Sequence, residues 1–199
     1  MSGPREQTDP PLDSDPPRRY LPDRPLPPYS YVTRHWPHPT RDPAGHSYGQ
    51  RAPAVDPPDS ARPGDCAEFL WGVDLFNYGY YWEAHEAWEA VWVACGRRGQ
   101  AADFLKGLIK LAAAGVKARE GRNEGVVRHA RRAGELFAHV CSSSESTVDV
   151  SRTHFRMFGL SLAGLLANAE TAATIVATVK ADRSNAVQIV FPFQLHPAI

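Results

Sequence analysis

The chain has 199 residues, enough for one domain with a sizeable core, and its 22 Lys and Arg balance its 22 Asp and Glu. Zero formal net charge excludes a general electrostatic attraction to nucleic acid or to an anionic membrane surface. The three cysteines, Cys66, Cys95 and Cys141, are far apart, which argues against a disulfide framework and against a cysteine zinc knuckle. The opening Met1-Ser2-Gly3-Pro4-Arg5 lacks the apolar core of a secretory signal. No stretch reaches the roughly 18 to 20 uncharged apolar residues of a membrane span. A cytoplasmic protein with no membrane partner is expected.

In chain order, the first change of character falls near Gly64. Sixteen of the 18 prolines precede it, and each removes a backbone donor and resists helix and central strand. Residues 1–19 are polar and Pro-rich, so they read as a disordered tail. Residues 20–63 form a Pro-rich arm. Its Leu21, Leu26, Tyr29, Tyr31, Val32 and Trp36 are costly to leave solvated, and polyproline-like backbone loses little entropy on ordering. An arm laid across a helical body is the expectation, with 49–63 as a looser linker.

Residues 64–199 read as the body. Asp65 suits the N-cap of a first helix carrying Phe69, Leu70, Val73 and Leu75, which ends at Asn77-Tyr78-Gly79. A second helix runs from about Trp82 to Ala94 and stops at Gly96. A third covers about Gln100 to Glu120, with Gly121 in the left-handed position that ends it and Asn123 capping the fourth. Val126, Ala130, Ala133, Phe137 and Val140 give that fourth helix an inward stripe. A serine-rich loop fills 141–150. The fifth helix starts at about Phe155 or Ser161 and reaches Val179, with Leu162, Leu165, Leu166, Ala169 and Ala173 inward. In the tail, Val187, Ile189, Phe191 and Phe193 alternate with Gln188, Val190, Pro192 and Gln194, which suggests an extended strap on the body rather than a sheet strand. The fold class is all-α: one bundle of about five helices, an extended N-terminal arm and a C-terminal strap. Short loops favour antiparallel neighbours.

The most informative residues lie on the second helix. His85, Glu89 and Trp92 stand at i, i+4 and i+7, one stripe of an α-helix. An imidazole and a carboxylate on adjacent turns can reach one divalent ion at about 2.0 to 2.2 Å. The donor types suit Zn, Fe or Mn. Glu86, about 100° round the helix, is placed as an acid/base or as a partner orienting His85. The arm offers His35, His38 and His46; if it crosses the second helix, His46 or His38 completes the coordination. Trp82, Trp88 and Trp92 are expected to wall the site, with Asn77 at its edge, where it also serves the turn with Gly79. The plainer alternative is a buried His–Glu hydrogen bond that only fixes helix packing. For the arm histidines it is free titration in solvent.

Several motifs in order carry a resemblance to a known family. They are Phe76-Asn77-Tyr78-Gly79, then His85 with Glu89 and Trp92, then Gly107-Leu108-Ile109, then Gly121-Arg122-Asn123 with Gly125. The segment from Leu75 to Gly125 resembles the domain of unknown function 309 family. The resemblance implies a small helical bundle, and metal binding by the His/Glu motif. Lys106 and Lys110 depart from the family, which commonly has glutamine there. Two ammonium groups beside a metal would oppose its charge unless they face solvent or pair with Glu83, Glu86 or Glu89.

Lys117, Arg119, Arg122, Arg128, Arg131 and Arg132 form the densest basic stretch, but Glu120, Glu124 and Glu135 break it up. A solvated face is expected there, not a nucleic-acid surface. Besides a scaffold whose polar stripe only fixes packing, two functions remain open. One is a metal-dependent enzyme, a hydrolase by preference, with His85 and Glu89 on the ion and Glu86 handling protons. The other is a non-catalytic module holding a small molecule or a protein in a Trp-lined groove. Homo-oligomer formation is compatible with both.

Overall fold

The computed structural model describes residues 16–51, 53–143, 155–174 and 181–199. Most of the expected tail, most of the serine-rich loop and the end of the fifth helix lie outside the described residues. Among those described, five α-helices follow one short 3-10 turn, Pro63–Asp65. They are α1 (Ala67–Asn77), α2 (Tyr81–Ala94), α3 (Gln100–Arg119), α4 (Asn123–Ser143) and α5 (Leu162–Thr174). Successive helices pack on one another: α1 on α2, α2 on α3, α3 on α4 and α4 on α5.

The periodicities explain this order. On α4, Val126, Ala130, Ala133, Phe137 and Val140 are all buried, the stripe its sequence carries. Small residues set the spacing of α3. A Cβ on Gly107 would collide with the Phe137 ring, so the glycine lets α4 approach. Gly79 ends the α1–α2 turn at φ +86°, and a side chain there would also strike the backbone at Gln188. The turn that reverses the chain is therefore also the bed of the tail.

Two local expectations are corrected, and one alternative is decided. Asp65 does not cap α1; it belongs to the 3-10 turn, and Cys66 stands at the N-cap without a side-chain hydrogen bond. Asn123 is the first residue of α4 rather than its cap. Of the two expected starts of the fifth helix, the later one holds: it begins at Leu162, because Arg156–Met157 (β1) and Leu160–Ser161 (β2) pair as a small antiparallel hairpin. Its central residues, Phe158 and Gly159, have φ +50° and +72°, the backbone of a tight hairpin turn. The Phe158 side chain is fully buried, stacked on Phe69 and Phe104. Core burial of the ring holds a non-glycine residue in the left-handed region.

The tail is a strap, but not an alternating one. Val190, Phe191 and Leu195 are buried while Ile189 is exposed. The Val190 N–H donates to the Tyr81 hydroxyl at 3.0 Å. Burial pushes that Tyr81 phenol up to about 12. Asn77 clasps Leu195 from both sides, its amide donating to the carbonyl at 2.9 Å and its oxygen accepting the N–H at 2.8 Å. Side chains of α1 and α2, rather than a neighbouring strand, satisfy this backbone, so no period of two is imposed.

At the other end, the arm crosses α1 and α2. Asp74, fully buried on α1, accepts from Arg19 Nε at 3.1 Å and from the N–H groups of Tyr20 and Leu21 at 2.8 and 2.9 Å. Arg24 pairs with Glu68 at 2.8 Å and lies over the Trp71 ring. Val32 is fully buried, and Tyr29 stacks on Trp36.

Candidate functional site

The inward face of α2 is set by Ala84, Trp88 and Val91, all fully buried. The stripe of His85, Glu89 and Trp92 lies beside that face and not within it. The His85 side chain is 30% exposed and that of Glu89 49%, with Nε2 and Oε2 4.0 Å apart. Glu86 joins them. One ligand atom each from His85, Glu86 and Glu89 lies within 4.8 Å of the others. Donors on a shared ion sit about 3 to 3.5 Å apart, so side-chain rotation of about an ångström would close the set.

The electrostatics suit a cation. Burial lowers the His85 pKa, with Glu89 raising it and Lys110 lowering it further, so the imidazole favours the neutral, ligating form. Burial first, then the charges of Glu89 and Glu83, raise the Glu86 pKa, while Arg41 opposes them. Two like charges beside Glu86 are a repulsion that a bound cation would relieve. Lys110 is the opposing feature: it forms no ion pair with the three acids, and its charge reaches both His85 and His129.

The arm histidines are not brought to this cluster. His46 Nε2 faces Glu83 Oε1 at 3.3 Å, and its Nδ1 meets Ser47 Oγ at 2.9 Å. His38 packs edge-on against Trp82, 5.4 Å between ring centroids, and beside Tyr31. The tryptophans separate as well. Trp88 is fully buried, its indole N–H donating to the Phe69 carbonyl at 3.2 Å, and it fills the space left by Gly72. Trp92 lies at the helix end beside Arg97. Asn77 holds the strap. Of the four residues expected around a pocket, Trp82 lines a cavity.

The basic stretch is dispersed. Arg119 is buried and donates to the Asn185 carbonyl at 2.7 Å; Lys117 and Arg122 both pair with Glu120; Arg132 pairs with Glu135. Glu120 also accepts from the Thr33 hydroxyl at 2.9 Å, tying α3 to the arm.

Residues 69–129 match a family described as a domain of unknown function, DUF309. Over those residues the chain is similar to that family. No curated protein and no solved structure matches the chain. The matched segment contains most of α1 and all of α2 and α3, and so the whole His85–Glu86–Glu89 cluster; the arm and the strap lie outside it.

A second feature sits between the helices of the matched segment and the arm. A cavity of about 550 Å³ is bounded by α1, α2 and the arm, with Trp71, Trp82, Glu83 and Glu86 on the helix side. Glu83 is 6% exposed. Its Oε1 accepts the Tyr31 N–H at 2.9 Å and faces His46; among the described residues its Oε2 has no hydrogen-bond partner. Asp74 and Glu83 anchor the arm, a role that the sequence motifs do not mark. An acid inside the apolar run Phe69-Leu70-Trp71-Gly72-Val73-Asp74-Leu75-Phe76 was the available signal, because a buried charge needs donors from elsewhere in the chain.

Proposed function

We propose that this protein binds a divalent metal ion on α2 through His85, Glu86 and Glu89. The convergence of one imidazole and two carboxylates within 4.8 Å carries the reading. Nitrogen and oxygen donors suit Zn, Fe or Mn. Glu86 completes the donor set in place of an arm histidine. Three protein ligands on a half-exposed face leave coordination positions open, the arrangement of catalytic rather than structural sites. An ion held so supplies Lewis acidity and an activated water, which makes hydrolysis the reaction class of choice. In that role the chain's own residues hold the ion and, through neutral His85, do so without first losing a proton at neutral pH.

The test is elemental analysis of protein purified without a nickel column, with melting curves before and after a chelator. About one equivalent of Zn, Fe or Mn, lost in His85→Ala, is expected. Metal-free protein whose melting neither chelator nor added Zn, Fe or Mn shifts would overturn the reading. A second reading, a module that holds a small molecule beside Trp82, is favoured by the cavity under the arm.

A further inference from the structure

We infer that Cys66 and Cys95 are a redox-modification site: they form a reversible disulfide that joins the start of α1 to the end of α2. The inference is independent of the metal and of the cavity under the arm.

The two cysteines are distant in sequence, but the register of the α1–α2 hairpin brings them level. Gly72 of α1 lies against the Trp88 indole of α2, whose N–H donates to the Phe69 carbonyl. Counted from the Gly72–Trp88 contact toward the open end of the hairpin, Cys66 is six residues along one helix and Cys95 seven along the other. At about 1.5 Å per residue they stand within about one residue's rise of each other. They also face the same way. Cys66, Phe69, Val73 and Phe76, at i, i+3, i+7 and i+10, are the buried stripe of α1. Ala84, Trp88, Val91 and Cys95, at i, i+4, i+7 and i+11, are the inward stripe of α2, and Cys95 packs on the core that contains Cys66. The two stripes meet in one core, so its last layer at this end holds both sulfurs.

Both residues are free thiols, and both stand at helix caps, where the backbone is released from helical geometry. After Cys95 comes the exposed loop 96–99, whose Gly96 and Gly99 have φ +72° and +86°, so the chain there has room to bring Sγ to bonding distance. Cys95 is half-buried and Cys66 buried, so a small-molecule disulfide, the oxidant, meets Cys95 first. The Cys95 thiolate attacks one sulfur of the oxidant, expels a thiolate and leaves a mixed disulfide on Cys95. The Cys66 thiolate then attacks Cys95 Sγ and expels the second thiolate. The pair has given up two electrons and two protons, and the oxidant leaves as two thiols. Burial raises both thiols; at Cys66 the amides of Phe69 and Glu68 oppose it, and at Cys95 the charge of Cys66 adds to it. That last effect agrees with two sulfurs placed near each other. The bond closes the hairpin that carries His85, Glu86 and Glu89 into a loop and so takes conformational entropy from the unfolded chain.

The test incubates the folded full chain with oxidised glutathione, blocks remaining thiols with N-ethylmaleimide, cleaves after acidic residues and identifies the joined peptides by mass spectrometry. One bridge is expected, between the peptides carrying Cys66 and Cys95, and dithiothreitol removes it. The oxidised protein is expected to melt higher than the reduced one by about 5 °C or more. Cys141→Ser keeps both the bridge and the rise in melting temperature. Cys95→Ser loses both, and so does Cys66→Ser, with Cys66→Ala as the second variant should a hydroxyl at that buried position unfold the chain. Glutathione that stays on Cys95, unblocked thiols at both positions, or a bridge made to Cys141 instead overturns the inference. A Cys66–Cys95 bridge that forms only in urea and lowers the melting temperature also overturns it, because such a bond belongs to the unfolded chain.

Discussion

Asp74 and Glu83 are both buried carboxylates that take backbone N–H groups from the arm, yet they differ in how completely they are used. Asp74 spreads three donors over its two oxygens. Glu83 receives Tyr31 and His46 on one oxygen, and its other oxygen is buried with no hydrogen-bond donor among the described residues. A saturated buried charge is a fastening. One that is buried and half satisfied has capacity left for something else, at a standing cost in stability.

Substitutions separate the two roles. Asp74→Ala should have the largest effect, because it leaves Arg19 and two N–H groups without their acceptor. A loss of about 3 kcal/mol in urea denaturation is expected, with the arm cut by protease before the helices. A loss below about 1 kcal/mol would mean that the arm is held by its aromatic contacts alone. Asn77→Ala removes both hydrogen bonds to Leu195 and should cost about 2 kcal/mol, with faster hydrogen exchange along the strap. Glu83→Gln should cost only about 1 kcal/mol, since the Tyr31 acceptor survives. If it costs as much as Asp74→Ala, the two carboxylates are equivalent fastenings and the contrast fails.

The metal cluster is expected to be nearly silent in the metal-free protein. His85→Ala should change stability by less than about 1 kcal/mol, because its contact with Glu89 is long and half exposed. The smallest effect has a sign fixed by titration. Glu86 holds its proton more tightly in the folded chain, so its favourable contribution is present below the ordinary carboxylate pKa of 4.5 and is lost as pH rises through the raised value. Glu86→Gln should therefore be the more stable protein at pH 7, by about 0.5 kcal/mol, and the difference should shrink toward pH 4. Denaturant midpoints at the two pH values measure it. A less stable variant at pH 7 would show that Glu86 is not under like-charge strain.

Much of the bundle was legible because helical periodicity is a local property. The α4 stripe, the end of α2 near Gly96 and the left-handed Gly121 follow from spacing and turn chemistry alone. The His85–Glu89 spacing was equally legible, but its direction was not. A stripe on a helix has a fixed angular position relative to its neighbours on that helix, and only the packing of α1 and α3 decides which angles are covered. The tail misled for a related reason: alternation predicts two faces only where a partner strand or a flat surface imposes them. Here Tyr81 and Asn77 take single backbone groups instead, burying Val190 and exposing Ile189. Phe158-Gly159 carried a hairpin signal inside what otherwise reads as the start of a helix.

The sequence by itself determined the helices, the turns between them and the presence of an aromatic arm, because each depends on dihedral preferences and on the burial of nearby side chains. The tertiary structure alone decided which acids are fastened to the arm and how completely their oxygens are used. Those outcomes join residues about fifty positions apart, where burial and donor supply come from segments that no local pattern links.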